Sequence, residues 1–164
     1  MKRAFTLVEI LIAVSILGIL AAATLPLFRN YILEAKESAA KDNLRVLRNA
    51  IEVYAAQHKD IPPGFIYKDN VFSPMSGALL IVPQLTQKTN ISGEFGGTVE
   101  AGYKYGPYLR KIPKNPFNGI DVIQVNESTP KYMAGFGWIC NPKGKKIYLN
   151  RDGIDKNGVR YLDY

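Results

Sequence analysis

The sequence predicts an α+β fold: one long N-terminal helix, membrane-spanning in its first half, packed through its second half on a small antiparallel β-sheet. Three observations predict it. Residues 10–28 carry no ionisable side chain. Residues 33–54 repeat apolar side chains at helical spacing. Beyond residue 60, Gly and Pro become frequent and the apolar runs shorten to the length of strands.

The first helical segment, residues 5–28, is long enough to cross a bilayer, which takes about 20 apolar residues. Lys2 and Arg3 lie before it, so the N-terminus is expected on the cytoplasmic side. Glu9 is the exception in this segment. A carboxylate in hydrocarbon is costly and calls for a partner. No basic side chain lies between Phe5 and Phe28. The nearest candidate is an α-amino group, created if the chain is cut before Phe5. Pro26 lies inside the same segment. An interior proline removes a helical hydrogen bond and clashes with the preceding turn, so a kink is expected there.

The second segment, residues 29–59, continues the helix. Leu33, Ala40, Leu44, Leu47, Ile51 and Tyr54 form an apolar stripe, which Val46, Ala50 and Val53 widen. Glu37 with Lys41 and Arg48 with Glu52 are four apart, a spacing that supports helix. His58 is expected to end the helix exposed to solvent, because Pro62, Pro63 and Gly64 follow.

Residues 60–164 form the predicted β-rich region. Residues 78–82 read either as a short helix or as a buried strand, and residues 93–97 as a loop. Residues 120–125, 136–140 and 146–150 read as strands, the last two joined in a hairpin by the turn-forming run 141–145. Residues 108–119 read as an ordered loop, with prolines at 113 and 116 and anchors at Tyr108, Leu109 and Phe117.

Composition limits the chemistry. The formal charge is +7; taking Lys2 and Arg3 from the 21 basic residues leaves 19 against 14 acids. Cys140 is the sole cysteine, so no intramolecular disulfide forms. His58 is the sole histidine, which excludes a multi-His zinc site and argues against a Ser-His-Asp triad. No phosphate-binding Gly-Lys-Ser/Thr loop is present. The chain is therefore not expected to be an enzyme. Tyr103-Lys104-Tyr105 and the lysines of 143–146 could bind nucleic acid by stacking and charge, but sheet aromatics and solvated lysines account for the same residues. The matches to glycosylation acceptors at Asn90 and Asn126 are of a kind common by chance. Asp152, Asp155 and Asn157 supply oxygen donors of the type that calcium takes, about 6–8 at a time. Arg151, Lys156 and Arg160 interleave with them, so a turn is the favoured reading and no cofactor is expected, with calcium as the alternative.

Residues 4–12, Ala-Phe-Thr-Leu-Val-Glu-Ile-Leu-Ile, resemble the processing site of type IV prepilins and type II secretion pseudopilins. Ala4 takes the place of the usual Gly. The helix over 35–44 and 54–58, the loop 108–119 and the turn after Trp138 are similar to pseudopilins in the same order. The resemblance implies a pilin-like fold and a structural role in a type IV pilus-like filament, most nearly a type II secretion pseudopilus. It implies cleavage between Ala4 and Phe5 by a prepilin peptidase, N-methylation of Phe5, and Glu9 setting register against a neighbour's Phe5 amine. The implied partners are sister subunits, an inner-membrane assembly platform and its ATPase. The implied location is the bacterial inner membrane, then a periplasmic or extracellular filament. Family members often carry a proline near the position of Pro26, and major pseudopilins often bind calcium in a C-terminal loop. Two other readings are a pilin for DNA uptake or adhesion, and an exported binding domain behind a signal peptide. The last would use Lys2 and Arg3 as the basic region, residues 21–23 as the cleavage site, and Thr24 as the mature terminus.

Overall fold

A computed structural model describes residues 6–68, 71–73 and 77–164, with side chains placed except at 23, 25–27, 67, 68, 71–73, 77 and 78. The chain divides into two compact units, Met1–Ser38 and Ala39–Tyr164. Helix α1 (Leu7–Gln57) supplies all the described secondary structure of the first unit and opens the second.

Within the second unit, Ala40, Leu44, Leu47, Ile51 and Tyr54 are at most 1 % exposed. Their spacing of four and three places them on one face. Each Leu or Ile so buried contributes about 1.5–3 kcal/mol. Val46 and Val53 are 48 % and 47 % exposed. The buried stripe is thus narrower than the sequence pattern implies, because at about 100° per residue these two valines point well away from its centre. The helix closes with His58 N and Asp60 N both donating to Ala55 O, at 3.0 and 2.9 Å. Lys59 and Asp60 take left-handed φ values of 56° and 65° to make that reversal.

Strands β1 (Ile66–Lys68) and β2 (Val71–Ser73) pair antiparallel, Ile66 opposite Ser73. Residues 78–82 fall within helix α2 (Gly77–Thr86), which continues through Pro83. Its Leu80, Ile81 and Leu85 are buried. The main sheet has the order β3-β4-β5, with β3 (Ile123–Val125), β4 (Trp138–Asn141) and β5 (Lys146–Leu149). The β4–β5 hairpin is antiparallel, with Trp138 opposite Leu149 and Cys140 opposite Ile147. Strand β3 runs parallel to β4, Ile123 opposite Trp138. The all-antiparallel sheet expected from the sequence is therefore corrected to a mixed one. The segment 126–137 is long enough to carry the chain back to the start of the sheet, as a parallel pair requires.

Ile123, Trp138, Cys140, Ile147 and Leu149 share a core cluster with the inner face of α1 and with Ile81 and Leu85 of α2. Asn115 is fully buried in the loop 108–119 and ties it to the sheet end. Its Nδ2 donates to Gly137 O at 2.9 Å and Asn150 O at 3.3 Å. Trp138 Nε1 donates to Pro113 O at 2.8 Å. The polar side of α1 reaches the same loop, Asn43 Nδ2 donating to Lys114 O at 3.1 Å. Arg48 bonds the carbonyls of Ile147 and Tyr164.

Candidate functional site

The first turn of α1 is built around Glu9. Its Oε2 accepts hydrogen bonds from Thr6 N and Thr6 Oγ1, both at 2.8 Å, while Glu9 N donates to Thr6 Oγ1 at 3.2 Å. This reciprocal arrangement is a capping box, in which two otherwise unpaired N–H groups at a helix start are satisfied by side chains. The charge of Glu9 alone points to a cationic partner and passes over this one. The signal was present, a Thr followed three residues later by Glu ahead of an apolar run. Glu9 thus has a partner within its own helix, and its Oε1 has no hydrogen bond from a described residue.

Behind the cap, the described large side chains from Leu7 to Leu20 are all more than half exposed. The hydroxyls of Ser15 and, beyond this stretch, Thr24 turn inward to the backbone. Ser15 Oγ donates to Leu11 O at 2.7 Å, and Thr24 Oγ1 bonds Leu20 O and Ala21 O at 3.1 and 3.2 Å. Such back-bonding leaves the helix surface apolar on every side. Among the described residues no helix is long and apolar enough to cross a membrane. The expected span 5–28 includes Phe5 and the side chains of 23 and 25–27, which lie outside the described residues. Ala4 and Phe5, the expected cleavage site, also lie outside them. Pro26 is within the bounds of α1, but its side chain is outside the described residues, and with it the expected kink.

The other sequence candidates are far from the helix start in sequence and serve the fold of the second unit. His58 is 1 % exposed, which corrects its expected exposure. Four residues after Tyr54, it extends the buried face of α1 by one more turn. Its ring stacks on Tyr54 at 3.9 Å and 6°, with Tyr105 and Tyr108 beside it. Nδ1 lies 2.7 Å from Tyr54 O, so it carries the proton, and Nε2 accepts from Thr89 Oγ1 at 3.0 Å. Burial pushes the imidazole below its usual value, partly opposed by the backbone of Tyr54 and Asn90.

Asp155 forms a turn. Its Oδ1 accepts from Asn157 N and Val159 N at 2.8 and 2.9 Å, and its Oδ2 from Tyr164 Oη at 2.9 Å. Desolvation pushes this carboxyl up, but the donors from Val159, Tyr164 and Asn157 outweigh it and hold it below the usual range. Asp152 Oδ1 accepts from Gly153 N at 2.8 Å. Among the described residues no group of three or more His, Cys, Asp or Glu is placed to hold a metal. The basic clusters are likewise engaged: Lys145 pairs with Asp60, and Lys143 with Glu127 at 2.6 Å. Lys104 lies over the Tyr105 ring.

The capped, apolar helix start lies within a segment that has a known counterpart. Residues 1–25 match the prokaryotic N-terminal methylation motif. The chain is type IV pilin-like. It is 36 % identical over 66 residues to the type IV major fimbrial protein FimA of Dichelobacter nodosus, covering 40 % of this chain and 42 % of that one. It is 48 % identical over 49 residues to the type IV major pilin protein PilA of Myxococcus xanthus, covering 30 % and 22 %. To a fimbrial protein of Pseudomonas aeruginosa it is 31 % identical over 71 residues, covering 43 % and 46 %. The pilin-like chain thus spans less than half the length of the curated relatives it matches. No solved structure matches it.

Proposed function

We propose that the chain is a structural subunit of a type IV pilus-like filament and has no catalytic role. The observation that carries this reading is the methylation motif of residues 1–25 set on a helix that presents apolar side chains on every side. A helix of that kind is stable only when surrounded, by lipid or by sister helices. In this reading residues 5–28 hold the chain in the bacterial inner membrane, N-terminus to the cytoplasm. A prepilin peptidase cuts between Ala4 and Phe5 and Phe5 is N-methylated. An assembly platform and its ATPase then move the subunit into the filament, where Glu9 pairs with a neighbour's Phe5 amine. The intact mass of the membrane-extracted protein tests it. The expected mass is that of a chain beginning at methylated Phe5; a chain beginning at Thr24 overturns it in favour of a signal peptide.

The finer proposal is a secretion pseudopilin, supported by the Pro-bracketed loop 108–119 ahead of the sheet. A pilus subunit is the second reading, favoured by the names of the relatives. Deleting the gene separates them. Loss of a secreted protein with normal surface fibres supports the pseudopilin, and loss of surface fibres with normal secretion supports the pilin. Neither reading includes a metal, a proposal supported by the three donors of the chain's own that already bond the Asp155 carboxylate. Melting midpoints are expected to agree with calcium and with chelator; a large calcium-dependent rise would reverse that view.

A further inference from the structure

Arg151 follows β5 in the second unit. Its guanidinium carbon lies 4.0 Å from the Phe117 ring centroid and 4.8 Å from that of Tyr161. The two rings are 5.2 Å apart, inclined at 56°. Both rings are in cation–π contact with the guanidinium. Nε is buried and donates to no described residue. Among the described residues the guanidinium makes neither an ion pair nor a side-chain hydrogen bond. Ring contacts alone therefore hold it, and its Nη1 and Nη2 donors are unspent. A sealed N–H without an acceptor costs stability. An arginine kept at that cost, with its fork unspent, points to a use outside the fold.

The fork borders a cavity of about 300 Å³ lined by Phe117, Asn118, Tyr132, Asn150, Arg151 and Asp152. The two asparagines have committed polar atoms. Asn118 bonds Phe136 O and Ile120 N, and Asn150 bonds the carbonyls of Met133 and Phe136 and the N–H of Met133. What remains for a ligand is a planar donor pair, the half-exposed Tyr132 ring and the Asp152 carboxylate. A guanidinium edge matches a carboxylate bidentately. An exposed aromatic face suits the C–H face of a sugar ring, and a carboxylate accepts from hydroxyls. The volume suits a single such ring.

We propose that this cavity binds a sugar acid, its carboxylate on Arg151, its ring against Tyr132 and a hydroxyl donated to Asp152. The adjacent Asp152 charge selects against more highly charged anions such as phosphate. The proposal is independent of filament assembly. The test is saturation-transfer NMR on the detergent-solubilised full chain with galacturonate, galactose and inorganic phosphate. Galacturonate is expected to bind at least tenfold more tightly than galactose, and equimolar phosphate to leave its signal unchanged. Arg151→Lys keeps the charge but not the planar fork, and is expected to weaken galacturonate binding at least tenfold. Tyr132→Ala, at an exposed position, is expected to weaken it several-fold with an unchanged circular dichroism melt. Absent galacturonate binding, equal binding of galactose, displacement by phosphate, or wild-type affinity in both variants would overturn the proposal.

Discussion

Glu9 serves one partner within its own helix and, in the proposed filament, a second on a neighbour. The two roles separate by substitution. Glu9→Gln keeps an acceptor for Thr6 N, since Gln also closes a capping box, but it removes the charge. Glu9→Val removes both. Thr6→Val removes the hydroxyl half of the cap and keeps the carboxylate. Expressed without wild-type subunit, both Glu9 variants are expected to insert in the membrane and fail to appear in sheared filaments, while Thr6→Val still assembles. The unpaired Phe5 ammonium, mostly charged near neutral pH, is what opposes docking. Normal filament yield from both Glu9 variants would remove the carboxylate from the assembly scheme. Asn115 tests the second unit in the same way. Asn115→Ala leaves Asn150 O without its Nδ2 donor and Phe117 N without its Oδ1 acceptor, while Gly137 O keeps the N–H of Asn150. A loss of about 2–6 kcal/mol is expected in urea denaturation, at roughly 1–3 kcal/mol for each of the two unsatisfied groups.

Two substitutions on α1 distinguish the observed stripe from the wider one. Leu47→Ala is expected to cost about 2–5 kcal/mol as a core truncation. Val46→Ala, one residue earlier and half exposed, should change stability by no more than about 0.5 kcal/mol. Equal losses at the two positions would restore the wide stripe. The helix itself was legible in the sequence because Ala40, Leu44, Leu47, Ile51 and Tyr54 keep their period through about four turns of chain without a breaker. The hairpin was legible because residues 141–145 carry turn chemistry between two short apolar runs. Helix α2 was ambiguous because an unbroken apolar run has no period to read. The direction of β3 was not legible, since it depends on the path of residues 126–137 rather than on the strand's own side chains. Burial of His58 was legible by position and hidden by residue type: it keeps the period of the stripe, four residues after Tyr54, but a polar ring just before two prolines reads as a solvated helix end. At the candidate site, Glu9 stood out by its charge, whereas Thr6 attracted no notice because a threonine before a helix carries no charge to explain.

For the molecule as a whole, the unit of residues 39–164 contains every described β-strand and both ends of the clasp that α1 makes through Asn43 and Arg48. A fragment starting at Arg29 is therefore expected to be soluble and monomeric and to show a mixed helix–strand dichroism spectrum. Aggregation, or a wholly helical spectrum, would contradict the α+β core. Its melting temperature is expected to depend on pH through His58. The unfolded chain takes up a proton near pH 6.5, while the folded ring, pushed below that by burial, does not until lower pH. The stabilisation is full above about pH 6.5 and declines as pH falls from there toward the folded value. Melts at pH 7.5 and 5.5 should differ more in the wild-type fragment than in His58→Gln. An identical difference in the two would assign the pH response to other groups.

The polar side chains that clasp this unit share a habit. Asn43, Arg48, Gln84, Asn115, Trp138 and Asn150 all send N–H donors to main-chain carbonyls: those of Lys114, of Ile147 and Tyr164, of Phe65 and Gly93, of Gly137 and Asn150, of Pro113, and of Met133 and Phe136. A carbonyl is present whatever residue occupies the position. The exposed side chains at Lys114 and Met133 can therefore change identity without loosening the clasp that ends on them. Saturation mutagenesis scored by folding should find Asn43, Gln84, Asn115 and Asn150 intolerant, and positions 114 and 133 open to nearly any residue except proline at 133, where Met133 N is itself a donor. Such a surface can diverge freely in appearance while the scaffold beneath it stays fixed.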